Sequence, residues 1–110
     1  MAQELKGDLI YVCEADLKEG EMRGLKVRDQ WLLIVRYGGQ YYALDAACAH
    51  SGYPLQQGKL DSSGVITCGL HYAKFDCRTG ETVSDPAICA DQIVYWIVVK
   101  GRKIFWAKTS

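Results

Sequence analysis

Two short clusters constrain this chain more than anything else in its 110 residues: Cys48-Ala49-His50 and Cys68-Gly69-Leu70-His71. They contain both histidines of the sequence and two of its five cysteines, and seventeen residues separate His50 from Cys68. Each cluster offers one thiolate and one imidazole, close enough to reach one metal centre from one loop. Two sulfur and two nitrogen donors suit a single tetrahedral zinc ion. They equally suit a two-iron cluster that takes both cysteines on one iron and both histidines on the other. Zinc fingers usually keep their cysteines together and their histidines together. Here each loop carries one of each, so two parallel loops would bring both cysteines to one side and both histidines to the other. That is the division a two-iron cluster needs.

The rest of the composition removes competing functions. Thirteen basic and thirteen acidic side chains cancel, which leaves no footprint for nucleic acid and no polybasic patch for a membrane. No run approaches the roughly 18 consecutive apolar residues of a membrane span. The first residues, Met1 to Asp8, are polar and charged, so the chain is expected in the cytoplasm. Five cysteines cannot all pair internally. In a reducing compartment they serve more often as ligands, buried thiols or redox groups than as disulfides.

The flanks read as β structure. Leu9 to Cys13 is a short apolar run, followed by a turn at Asp16 to Gly20. Trp31 to Tyr37 and Gln40 to Leu44 are joined by Gly38-Gly39, the pattern of a hairpin whose turn needs positive φ. Ile93 to Val99 is expected as a strand of seven residues, turned by Lys100-Gly101-Arg102 and returned by Lys103 to Trp106. Strands at such spacing predict an all-β fold, a small antiparallel sandwich or barrel. Between Ala46 and Ala90 the chain is rich in Gly, Cys, His, Ser and Asp and poor in long apolar runs. Such a stretch packs weakly alone and gains cohesion from a metal centre.

The segment from Cys48-Ala49-His50-Ser51-Gly52-Tyr53-Pro54-Leu55, through Cys68-Gly69-Leu70-His71, to Phe75-Asp76-Cys77-Arg78-Thr79-Gly80 and Pro86-Ala87 resembles the Rieske family. The family pattern is Cys-x-His followed by Cys-x-x-His. The resemblance implies a Rieske-like fold with a [2Fe–2S] cluster bound by Cys48, His50, Cys68 and His71. It implies one domain over residues 1–110, with a β base from 1–45 and 88–110 and a loop-rich cluster-binding subdomain at 46–87. A third loop near Ser84-Asp85-Pro86 should cover the cluster.

The chain also departs from parts of the family. Many members have Cys-Pro-x-His-Gly at the second loop, where Gly69 and Tyr72 stand here. Rieske proteins of quinol-oxidising complexes add a cysteine to each loop, and the matching positions are Tyr53 and Leu70, which cannot pair. Those proteins also place a serine two residues after the second histidine, where this chain has Ala73. Hydrogen bonds to the sulfurs raise the potential, so their loss implies a potential low in the Rieske range. All of this fits a ferredoxin.

A cluster with all four protein ligands in place has no open position for substrate. The expected role is one-electron transfer, not catalysis. By resemblance the partners are a flavin-dependent reductase and a terminal oxygenase, and the chain is monomeric. A Rieske-like subunit of a nitrite reductase, a stand-alone redox carrier and a zinc-stabilised interaction module are the alternatives. Among single residues, Cys13 is expected as a buried thiol, and Cys77 and Cys89 as a possible pair near the third loop. Trp31, Trp96 and Trp106 are expected in or half in the sheet core, Tyr53-Pro54 at the rim of the site, and Lys59, Lys74 and Arg78 as solvated charges.

Overall fold

A computed structural model describes residues 8–48, 54–69, 73–83 and 91–108. Among the described residues ten strands run in chain order: β1 Asp8–Glu14, β2 Met22–Val27, β3 Gln30–Tyr37, β4 Gln40–Asp45, β5 Lys59–Leu60, β6 Val65–Thr67, β7 Lys74–Asp76, β8 Val94–Tyr95, β9 Ile97–Lys100 and β10 Lys103–Lys108. A 3-10 turn, Leu55–Gln57, precedes β5. All pairings are antiparallel. The sheets are ordered β1-β10-β9, β2-β3-β4-β8 and β5-β6-β7. The all-β architecture expected from the sequence is therefore the observed one. No helix among the described residues is long and apolar enough to cross a membrane.

Strand β3 joins the layers. Side chains alternate across a strand, and both faces of this one are filled. Leu32 and Ile34 point into a core shared with Ile10, Val12, Ile104 and Trp106 of the β1-β10-β9 sheet. Leu33 and Val35 point into a second core with Leu55, Ile66 and Phe75 of the β5-β6-β7 region. All four of these β3 residues are fully buried. Burying four such side chains contributes on the order of 6–12 kcal/mol before chain entropy is counted. The run Leu32-Leu33-Ile34-Val35 is thus apolar throughout because it has no solvent face.

The hairpin between β3 and β4 turns at Gly38 and Gly39, with φ of 62° and 79°. Two positive values in a two-residue link match the twist of the flanking strands. The Glu19 carboxylate accepts hydrogen bonds from both glycine N–H groups. In β1 the pairing slips between Tyr11 and Cys13. This bulge adds one residue to the strand and lets Val12 and Cys13 both turn inward, so Cys13 is buried as expected.

Two readings of the C-terminal run need correction. Ile93 to Val99 is not one strand. Val94 and Tyr95 pair with β4 of the central sheet, whereas Ile97 onward pairs with β10. The chain changes sheets at Trp96, whose carbonyl accepts from the Ala107 N–H at 2.9 Å. The crossing turns the Trp96 side chain outward, 80% exposed, while Trp106 is core and Trp31 is half-exposed. Local β propensity is the same on either side of such a break, so the sequence does not reveal it. Strand β2 also escaped the sequence reading, because Met22-Arg23-Gly24-Leu25-Lys26-Val27 mixes charge with apolar residues.

Gly58 shows how tightly the third sheet is built. A Cβ placed there would lie 2.0 Å from the Thr67 carbonyl oxygen. Gly58→Ala should therefore push β5 from β6 and destabilise the protein by about 1–3 kcal/mol. Urea unfolding checks this; a midpoint equal to that of the unaltered protein would contradict the packing at Gly58.

Candidate metal centre

Cys48 stands just beyond β4, and the three residues leading to it have every backbone polar group bonded. The Asp45 N–H donates to the Ile93 carbonyl at 2.8 Å, and the Ala46 N–H to the Trp31 carbonyl at 3.1 Å. The Ala47 N–H donates to Asp45 Oδ1 at 3.1 Å. The Ala46 carbonyl accepts from the Leu55 N–H at 2.8 Å. The carbonyls of Asp45 and Ala47 both accept from Gln92 Nε2, at 2.7 and 2.6 Å. An antiparallel bridge between Ala47 and Pro54 closes the base of the segment that carries the first Cys/His cluster.

Cys68 follows β6 directly. Its N–H donates to the Ala73 carbonyl at 2.7 Å, which closes the base of the second segment in the same way. Cys48 and Cys68 belong to one apolar core with Ala46, Leu55, Ile66, Ala73 and Phe75. They are 3% and 0% exposed. Among the described residues no carboxylate, lysine or arginine is buried. Two cysteine sulfurs brought into one apolar core are donors of the kind that iron–sulfur centres take. The donor set therefore fits an iron–sulfur centre.

The other two sequence-predicted ligands, His50 and His71, lie outside the described residues, as do Tyr53, Leu70, Tyr72, Ser84, Asp85, Pro86 and Cys89. Among the described residues no three His, Cys, Asp or Glu side chains converge as a metal site. Cys77 shares the core with Cys48 and Cys68 and is fully buried. Burial pushes its thiol up to about 11, so it stays protonated at neutral pH and packs as a small apolar group. Cys89, the other cysteine flanking the third loop, lies outside the described residues.

Arg78 is exposed, as expected, but its guanidinium is also tied to its neighbours. Its Nε and Nη2 grip Asp76 Oδ1 and Oδ2 at 3.0 and 2.9 Å. Nη2 also donates to the Ser63 carbonyl at 3.3 Å. The guanidinium sits 5.4 Å from the Tyr37 ring centroid, and Tyr37 Oη donates to the Ser62 carbonyl at 2.8 Å. These contacts fasten the Asp61–Gly64 turn, where Asp61 Oδ1 accepts from the N–H groups of Ser63 and Val65, to the end of β7. Lys59 and Lys74 are exposed, as expected.

Comparison with known proteins matches residues 9–98 to the Rieske [2Fe-2S] domain family. The chain belongs to that family. The ferredoxin component of biphenyl 2,3-dioxygenase from Rhodococcus jostii is 35% identical over 97 residues, covering 87% of this chain and 89% of that one. The ferredoxin of carbazole 1,9a-dioxygenase from Nocardioides aromaticivorans superposes with a TM-score of 0.84 at 30% identity, over 94% of this chain and all of that one. A ferredoxin chain in a complex of reduced oxygenase and oxidized ferredoxin, again of carbazole 1,9a-dioxygenase, gives 0.78 at 31% identity over 88% and 99%. The cofactor of this Rieske chain is a [2Fe–2S] cluster, and its role is that of an electron carrier, not of a catalytic subunit.

Gln92 was not singled out by sequence reading. A glutamine opening a β-rich run carries no motif, and only the fold shows that it is buried.

The Asp76–Arg78 pair yields a prediction. The Arg78 hydrogen bonds hold the Asp76 carboxyl below its usual range. A depressed folded value contributes stability that is present above the unfolded pKa of about 4 and is lost as pH falls through the folded value. Asp76→Asn should lose about 1 kcal/mol or less at pH 7, given the pair's partial exposure. It should also flatten the decline in urea midpoint below about pH 4. Parallel midpoint-against-pH curves for both proteins would contradict the pairing.

Proposed function

We propose that Cys48 and Cys68 bind one iron and His50 and His71 the other, and that the chain ferries single electrons from a flavin-dependent reductase to an oxygenase. The observation that carries this reading is the family match over residues 9–98. The two cysteines of the motif, buried in one apolar core, support the thiolate half of the assignment. The relatives support the partner, since they are ferredoxin components of oxygenase systems.

Within this reading the base carries no chemistry. Its sheets hold β4 and β6 in place, and those strands deliver Cys48 and Cys68. We assign residues 46–87 as the cluster-binding subdomain and 1–45 with 88–110 as the base, in one domain. When bound, the cluster supplies a site that accepts or gives up one electron. The residues around it keep water away from the thiolate side: Leu55, Ala73 and Phe75 are fully buried there. Ala73 offers no hydroxyl to a bridging sulfur, which favours a potential low in the Rieske range. A monomer working in the cytoplasm completes the proposal. No observation favours a nitrite reductase subunit or a stand-alone carrier, and the family assignment displaces the zinc module.

Reduction with dithionite followed by EPR tests the ligand set. The expected result is a rhombic signal whose average g lies below that of all-cysteine [2Fe–2S] ferredoxins. Cys48→Ser and Cys68→Ser should lose the cluster. His50→Cys and His71→Cys should lose it or move the spectrum towards the all-cysteine type. Unaltered spectra in both histidine variants would overturn the assignment. Substitution of this chain for the ferredoxin of a reconstituted dioxygenase tests the partner: product from NADH with the unaltered chain and none with Cys48→Ser is the expected outcome.

A further inference from the structure

We infer that Gln92 is a positioning residue for the cluster: its side-chain amide fixes the backbone that delivers Cys48. The inference rests on the assignment of Cys48 as a ligand.

Gln92 is the one polar or charged side chain that is buried among the described residues, at 3% exposure. Its Nε2 lies within hydrogen-bond distance of two carbonyls, Asp45 at 2.7 Å and Ala47 at 2.6 Å. A primary amide is the neutral group that offers two hydrogens from one nitrogen. The two acceptors flank Ala46, so both hydrogens are spent on one short segment, and that segment ends at Cys48.

Gln92 is itself held from the other side. Its N–H donates to the Gly80 carbonyl at 2.6 Å. Its carbonyl lies 2.2 Å from where a Gly80 Cβ would stand, and Gly80 has a φ of +78°, so the approach requires glycine. On either side of it, Asp91 Oδ1 accepts from the Thr82 N–H at 3.0 Å and the Ile93 carbonyl accepts from the Asp45 N–H at 2.8 Å. Gln92 therefore braces the first ligand segment against the turn that follows β7.

The consequence for the cluster is electrostatic as well as mechanical. Carbonyls bonded to Gln92 keep their dipoles fixed close to Cys48. Partners beyond the ligands tune a metal site through such orientation, and the field around a cluster helps set its potential. Releasing the Asp45 and Ala47 carbonyls should change both how firmly the metal is held and where the potential lies.

The test uses the cluster-loaded protein and three variants. Gln92→Met keeps length and removes both donors. Gln92→Glu keeps shape and at neutral pH has no hydrogen to give. Ile104→Val trims the base core without touching the site. Iron release to a chelator, midpoint potential and EPR g values are read for each. Both Gln92 variants should release iron about tenfold faster, with displaced potential and g values. Ile104→Val should lower the melting temperature and leave those three readouts unchanged.

Release within about twofold of the unaltered protein, with the same potential and g values, would overturn the inference. So would an equal displacement in Ile104→Val, which would make general destabilisation the cause. Failure of both Gln92 variants to fold while Ile104→Val folds would place Gln92 in the general core and overturn it as well. A Cys48→Ser protein that keeps its cluster overturns the ligand assignment instead, so the two failures are distinguishable.

Discussion

The two-sided burial of β3 is the constraint from which the rest follows. A strand with one wet face needs one core; this strand faces two. Leu32 and Ile34 close the base core, and Leu33 and Val35 close the core that holds the cysteines. A shift of one residue in the β3 register would exchange the two sets. The pairing with β4 is therefore a condition for the site as well as for the fold. The glycine hairpin at Gly38 and Gly39 fixes that register at one end, and the Trp31 carbonyl, bonded to Ala46, fixes it at the other.

The candidate site keeps Cys48 and Cys68 in apolar surroundings and its structural charges elsewhere. The ionic contacts that shape the neighbouring turn run through Asp76, Arg78 and Asp61, which are partly or fully solvated. This separation lets the turns be held by charge-assisted hydrogen bonds without bringing a competing cation into the core. The Cys77 thiol, raised by burial, shares the same core.

Much of the fold was legible in the sequence because its signals are local. The apolar run of β3, the paired glycines and the return of β10 each announce themselves within ten residues. The family was legible for another reason: few arrangements of Cys and His repeat a thiolate and an imidazole so closely. What escaped depended on distant partners. Strand β2 is defined by its pairing with β3, the break at Trp96 by two sheets competing for one run, and Arg78 by Asp76, Ser63 and Tyr37 meeting in space. Gln92 escaped for the same reason, since its acceptors lie 45 and 47 residues away.

The closures at the base of the two ligand segments have a consequence for how metal is gained and lost. Leu55 bonded to Ala46, and Cys68 bonded to Ala73, leave only short stretches of chain between anchored points. On the proposed ligand set, once one donor of a segment has bound iron, the other is confined to its vicinity. A donor so tethered acts at an effective concentration on the order of millimolar, whatever the protein concentration. Release of iron then requires several bonds to be open at once, and a single broken bond is remade before the metal escapes. Retention of the cofactor becomes a property of chain connectivity as well as of bond strength.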